Sequence, residues 1–367
     1  GATMSSTPMI TFLVKSELVG RKTELKHLSA LLDRRGESHF VYYYAQGGYG
    51  KTRLLEELQA IVKQRGSTFR ATGIIDLYHT DTHSASDIEK AIVEGLDPNK
   101  EYFHAYRSKR EDYELLRERG ADPGLLEKKR EELGRALVED WVKPAVETAK
   151  LVLCFDTVEL LQYESSVVEE TIGEFTVDTR VREWLLDKLP KLKNVLVVFA
   201  GRPKQRSSEE TTDHQRRLLS DLSDAFGDSF DPRELSPLNL AETKTLIKEL
   251  SKQVEQRAAQ EGTQPGNSQE VVPARYLELI HQLTAGRPIY VHLIVDLLGG
   301  LSPEPRAILE MLDGYVDLTD AHEDDPRLAE ARSAIEAAIL DTVYNHAKEL
   351  GGYISRIALM PKGVDAE

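Results

Sequence analysis

The stretch from residue 40 to residue 58 leaves this chain few ways to fold. Phe40-Val41-Tyr42-Tyr43-Tyr44 is short, aromatic and β-branched. Ala45-Gln46-Gly47-Gly48-Tyr49-Gly50 follows at once, and Thr52-Arg53-Leu54-Leu55-Glu56-Glu57-Leu58 then takes up helical spacing. The order is strand, glycine-rich loop, helix. A loop whose backbone N–H groups turn inward, backed by a helix N-terminus, holds phosphate oxygens. The spacing that does this, G-x-x-x-x-G-K-[ST], is met from Ala45 to Thr52 except at its first position, where Ala45 replaces Gly. Ala takes the extended backbone at a strand end, so the loop is still expected to form. Gly47, Gly48 and Gly50 allow the tight backbone, Lys51 supplies a charge for the outer phosphates and Thr52 a hydroxyl for Mg²⁺. Gln46, Tyr49 and Arg53 belong to the same nucleotide-binding run.

Three further apolar runs, Thr72 to Leu77, Leu151 to Phe155 and Val195 to Ala200, read as buried parallel strands separated by helical sequence. This alternation predicts an α/β doubly wound parallel sheet with its chemistry at the carboxyl ends of the strands. A charged stretch from about residue 87 to 150 reads as an inserted helical hairpin, broken at Gly120-Ala121-Asp122-Pro123-Gly124. After Pro203 the polar run Lys204 to Thr212 reads as a loop, and no further strand is expected. From Pro237 on the pattern is helical, interrupted by a linker over Gln260 to Asn267. A long amphipathic helix is expected from about Arg327 to Leu350. The expected division is an extension at 1–16 with Gly1-Ala2-Thr3-Met4 as a tag remnant, an α/β nucleotide-binding domain at 17–235, an all-α lid at 236–320 and a helical linker with a truncated following domain at 321–367.

The second element of such a site is an apolar strand ending in Asp, which Leu151-Val152-Leu153-Cys154-Phe155-Asp156 supplies. Asp156 is the candidate for holding Mg²⁺ through water, with a helix cap as the plainer role. Many hydrolytic enzymes of this kind place an acid directly after that Asp. Here Thr157 follows and the next acid is Glu159, so Glu159 is either the water-orienting base or a salt-bridge residue, and hydrolysis is expected to be slow. Val195 to Ala200 leads into Gly201-Arg202, where Arg202 either reports the terminal phosphate or is an ordinary surface Arg. Lys51, Asp156, Glu159 and Arg202 thus form the catalytic set. His79 and His83 have no Cys or third His beside them and read as a polar loop rather than a metal pair. Cys154, within an apolar run, reads as a buried core thiol.

The 367 residues exceed one ordinary domain, and 40% hydrophobic with 30% charged residues describes an ordinary globular chain. No apolar run reaches membrane-spanning length and no signal region opens the chain, so a cytoplasmic protein is expected, consistent with its single Cys. A formal net charge of -15 provides no global field for nucleic acid or anionic membrane, leaving only a local basic groove open.

Together these segments resemble the STAND class of signal-transduction ATPases, relatives of the NACHT and apoptosis-type domains within the AAA-like branch. Leu18-Val19-Gly20-Arg21-Lys22-Thr23-Glu24-Leu25 looks like the opening motif, Gln46 to Thr52 the phosphate loop, Phe155 to Glu159 the magnesium strand and Phe199-Ala200-Gly201-Arg202 the first sensor. Leu283-Thr284-Ala285-Gly286-Arg287-Pro288-Ile289-Tyr290 looks like the Gly-x-Pro segment of the lid. The resemblance covers most of the chain from residue 17. It implies adenine contacts from Val19, Arg21 near the nucleotide, Pro288 on the base, ATP/ADP with Mg²⁺ as ligands and a lid that closes over ADP. It implies a monomer at rest that self-assembles when activated. Ile357 to Gly363 looks like the start of a winged helix, with effector or repeat domains expected beyond residue 367. The function implied is an ATP/ADP switch with slow hydrolysis. The alternatives are an AAA-type DNA-handling ATPase, such as an origin-binding or loader protein, and a scaffold that binds ADP without turnover.

Overall fold

A computed structural model describes residues 18–79, 82, 84–144, 149–162, 179–202, 212–260, 270–301 and 305–346. The N-terminal extension, His83, Pro203, nearly all of the 204–212 loop and the 260–267 linker, and the 357–363 tail lie outside the described residues. The chain divides into two compact units. One holds Lys22–Gln46 and Lys51–Leu235; the other holds residues 18–21, Gly47–Gly50 and the described residues from Ser236 on.

The first unit is α/β. Its elements run α1 (Lys22–Asp33), β1 (His39–Tyr44), α2 (Lys51–Gln64), β2 (Phe69–Asp76), α3 (Ala85–Leu96), α4 (His104–Glu118), α5 (Pro123–Lys143), β3 (Lys150–Asp156), α6 (Thr179–Lys188), β4 (Val195–Gly201), α7 (Thr212–Phe226) and β5 (Phe230–Glu234). The five strands are all parallel, in the order β2-β3-β4-β1-β5. All seven residues of β3 and all seven of β4 are buried. Strands covered on both faces are continuous apolar runs, and each large aliphatic side chain so buried contributes roughly 1.5–3 kcal/mol. Phe155 and Phe199 stack across the β3–β4 pair at 5.5 Å.

Register decides what reaches the carboxyl edge. Tyr44 pairs with Gly201, and Asp76 pairs with Asp156. Strand β4 lies between β1 and β3, so the segments after β1 and β3 emerge on either side of its end, a switch point of the kind where open sheets bind ligands.

Two expectations are corrected. The sheet does gain a fifth strand after Pro203: β5, Phe-Asp-Pro-Arg-Glu, pairs only with β1. An edge strand needs no apolar run and tolerates Pro232, so it carries no hydrophobic signature. Among the described residues the insertion holds three helices where two were expected, α3 preceding the pair α4 and α5. The expected break at Gly120–Pro123 is present, with Asp122 accepting N–H groups of Gly124 and Leu125 at 2.9 and 3.2 Å. A second break lies between α3 and α4, where the Asp97 carboxylate accepts the N–H groups of Glu101, Tyr102 and Phe103 and the Arg107 guanidinium.

The second unit is helical: α8 (Leu240–Gln260), α9 (Leu277–Thr284), α10 (Pro288–Asp296), α11 (Pro305–Asp313) and α12 (Pro326–His346). Its core is built from Leu246, Ile247, Leu279, Ile280, Leu283, Val291, Ile294 and Ile335, with Val19 packed against it. Ala285 is left-handed at φ 50° and ends α9, and Pro288 starts α10 at the position where a missing N–H costs nothing. No described helix is long and apolar enough to cross a membrane.

Candidate nucleotide site

The site is laid down by the turn from β1 into α2. Gly48 and Gly50 both have φ near 83°, a region that glycine enters freely and other residues rarely do. Lys51 is the first residue of α2 and is buried. Its ammonium donates to the carbonyls of Ala45 at 2.7 Å and Gln46 at 2.8 Å, so the charge is folded back toward the end of β1. Thr52, one residue on, donates its hydroxyl to Oδ2 of Asp156 at 2.5 Å. Arg53 pairs with Glu56 and Glu57 along α2.

Asp156 closes β3 with 6% exposure. Burial pushes its carboxyl up from the usual range and the Asp76 charge adds to this. The Thr52 hydroxyl, the N–H of Thr157 and Lys51 act in the opposite direction. Glu159 is raised chiefly by burial, against Lys51 and Arg202. Its Oε2 accepts the backbone N–H of Arg202 at 3.2 Å, and its Oε1 lies 3.5 Å from Nε of the same residue. The sensor candidate and the base candidate are therefore partners. Tyr42 is buried beneath them and its hydroxyl is pushed far up by that burial, with Glu159 adding to the shift.

In the helical unit, Arg21 is 3% exposed and donates to the carbonyl of Tyr49 at 2.8 Å. Pro288 opens α10, and the next N–H, that of Ile289, donates to the carbonyl of Gly48 at 3.2 Å. A Cβ on Gly48 would stand 2.1 Å from Cγ2 of Ile289. This loop glycine is thus held by close approach as well as by its backbone angle. The candidate residues therefore fall into two sets. Lys51, Thr52, Asp156, Glu159 and Arg202 belong to the α/β unit with Gln46 and Arg53. Val19, Arg21, Pro288 and the loop residues Gly47, Gly48, Tyr49 and Gly50 belong to the helical unit.

Sequence reasoning passed over Asp76. It ends β2 in register with Asp156, and its Oδ1 accepts the hydroxyl of Thr157 at 2.7 Å. The signal was Ile74-Ile75-Asp76, an apolar run ending in Asp like Cys154-Phe155-Asp156. His79 lies 3.7 Å from Asp76, and among the described residues no group of three His, Cys, Asp or Glu is placed to hold a metal ion. Cys154 is fully buried, with its thiol pushed up to about 12 by burial and its Sγ 3.2 Å from Nε2 of Gln59. The thiol reading from sequence agrees.

No family model matches the chain, and no curated protein matches it. Solved structures align with it at low similarity. The Aeropyrum pernix ORC2 protein, in ADPNP–ADP complexes, aligns at 14% identity over 88% of this chain and 74% of that one, with a TM-score of 0.46. CDC6P from Pyrobaculum aerophilum aligns at 16% identity over 82% of this chain and 65% of that one, TM-score 0.40. AMPPCP-bound DnaA from Aquifex aeolicus aligns at 17% identity over 87% and 79%, TM-score 0.39. At these identities and TM-scores the function of the chain is read from its own residues.

Proposed function

We propose that this chain is a P-loop ATPase that uses ATP and ADP to operate a molecular switch. The observation that carries the proposal is the 2.5 Å bond from Thr52 to Asp156, directly after a lysine folded back onto the carbonyls of Ala45 and Gln46. A hydroxyl and a carboxylate held together are hard oxygen donors, and they suit a Mg²⁺ ion that keeps most of its waters. Bound there, Mg²⁺ would supply neutralisation of phosphate charge. Lys51 and the N–H groups at the start of α2 bind and orient the phosphates. Arg202, held by Glu159, is set as the group that distinguishes a triphosphate from a diphosphate. Within the helical unit the bond from Ile289 to Gly48 ties α10 to the loop, so a nucleotide that favours one loop geometry also biases that helix. The switch is proposed to hydrolyse slowly, to rest as a monomer and to self-assemble with ATP. Its signalling character rests on the sequence resemblance to STAND ATPases.

The second reading is a DNA-handling AAA-type ATPase. It uses the same phosphate site, and DnaA and ORC2 are among the proteins that align with the chain at low similarity. Phosphate release from ATP and binding to a duplex at two salt concentrations separate the readings. The switch predicts slow release and no DNA affinity. Tight, steeply salt-dependent duplex binding would favour the second reading despite the net charge of -15. Binding of ADP with no phosphate release at all would favour a scaffold without turnover.

A further inference from the structure

The residue after Asp156 is Thr157, where an acid was looked for from the sequence, and its geometry is unusual. Thr157 has φ 60°, a conformation that a β-branched residue keeps only where its surroundings impose it. Two bonds impose it here. Its N–H donates to Oδ1 of Asp156 at 2.8 Å, and its hydroxyl donates to Oδ1 of Asp76 at 2.7 Å. Asp76 is itself fixed: the same Oδ1 accepts the N–H of Tyr78 at 3.0 Å, and register sets it beside Asp156. The proton of Thr157 is committed to Asp76, so the oxygen's lone pairs face away from it. Asp156 holds the Thr52 hydroxyl on Oδ2 and the Thr157 backbone N–H on Oδ1, so one carboxylate joins the two residues, Thr52 through its hydroxyl and Thr157 through its backbone. Glu159, which the sequence leaves open as a water-orienting base or a salt-bridge residue, has one oxygen on the N–H of Arg202 and the other beside its guanidinium.

We propose that Thr157 orients the attacking water of the ATPase, and that Asp76 is a positioning residue that fixes the Thr157 hydroxyl for this task. The proposal rests on the reading of the chain as an ATPase. The water donates a hydrogen bond to Oγ1 of Thr157. Its oxygen forms a bond to the γ-phosphorus as the bond from that phosphorus to the bridging oxygen breaks. The bridging electron pair leaves with ADP, and the proton the water gives up ends on the released phosphate. Catalysis of this transfer is mostly positioning, so no strong base is needed beside the water.

The test is single-turnover phosphate release by the full chain, with ADP affinity measured alongside. The proteins are the unmodified chain, Thr157→Val, Thr157→Ser, Asp76→Ala, Glu159→Gln and the Asp76→Ala/Thr157→Val double variant. Thr157→Val and Asp76→Ala are each expected to slow release about 10- to 100-fold at saturating ATP while leaving ADP affinity within about twofold. Thr157→Ser is expected to restore most of the rate. The double variant should be no slower than Thr157→Val alone, because Asp76 acts through that hydroxyl. If Thr157→Val does not fold, Thr157→Gly removes the hydroxyl and relaxes the left-handed backbone, with the same expected loss. Full-rate release by Thr157→Val or Thr157→Gly overturns the proposal, as do additive losses in the double variant. Loss of release in Glu159→Gln beside a full-rate Asp76→Ala overturns it in favour of Glu159. An unmodified chain that binds ADP but releases no phosphate also overturns it, while one that binds no ADP removes the ATPase reading itself.

Discussion

Oδ2 of Asp156 accepts the hydroxyl of Thr52 at 2.5 Å across a sequence separation of 104 residues. The two lie at the ends of different elements, Asp156 closing β3 and Thr52 in the first turn of α2. On the proposed reading this hydroxyl and carboxylate hold Mg²⁺, and nucleotide affinity depends on the cation. Asp156→Ala is therefore expected to weaken Mg²⁺–ATP binding about 10- to 100-fold, the effect of losing a charge-assisted contact of roughly 1.5–3 kcal/mol. ATP affinity in excess chelator should hardly change. Calorimetric titration with and without Mg²⁺ checks this, and equal losses under both conditions would place Asp156 outside the cation site.

Gly48 and Gly50 share the same positive φ but differ in surroundings. A Cβ at Gly48 would meet Ile289 at 2.1 Å, whereas nothing lies within 4 Å of a Cβ at Gly50. Gly50→Ala should cost about 1 kcal/mol, the backbone term alone. Gly48→Ala should cost about 2 kcal/mol more through overpacking, and Ile289→Ala in the same chain should recover that excess. Urea unfolding of the three variants measures the differences. Equal costs at both glycines would mean that Ile289 does not approach Gly48.

Glu89 predicts a pH dependence away from the site. It lies in α3 with 1% exposure, and its Oε1 accepts Nε1–H of Trp184 at 2.7 Å. Burial pushes its carboxyl up to about 7, against the Trp184 bond and the charges of Arg110, Lys188 and Arg130. A folded-state pKa above the unfolded one means that the fold favours the protonated acid. This stabilisation is full below about pH 4.5 and is lost as pH rises through about 7. Glu89→Gln should remove the slope and gain up to roughly 3 kcal/mol relative to the unmodified chain at pH 8. Unfolding midpoints followed by Trp fluorescence at pH 5 and pH 8 test it. Parallel pH profiles for the two proteins would count against a buried, titrating Glu89.

What could be read from sequence follows burial. Strands β1, β3 and β4 are covered on both faces, so their apolar runs betray them. Strand β5 lies at an edge, and Phe-Asp-Pro-Arg-Glu carries no such run. The strand–turn–helix order around Ala45 to Thr52 was legible because its signals lie in consecutive residues. Asp76 was not, because its relation to Asp156 exists only through the β2–β3 register. The partnership of Glu159 with Arg202 likewise spans 43 residues and depends on where β4 ends. The three-helix insertion was read as two because the break before α4, marked in sequence by Asp97-Pro98-Asn99 and held by the Asp97 carboxylate, was passed over in a stretch whose charged helical spacing continues on both sides.

The central claim is that an adenine nucleotide is held at the loop by Lys51. The measurement that tests it most directly is equilibrium titration of ADP into the nucleotide-stripped chain and into Lys51→Ala. One ADP per unmodified chain, and affinity at least about 100-fold weaker in Lys51→Ala, is the predicted result. Equal affinity in the two proteins, or no binding to either, would contradict it.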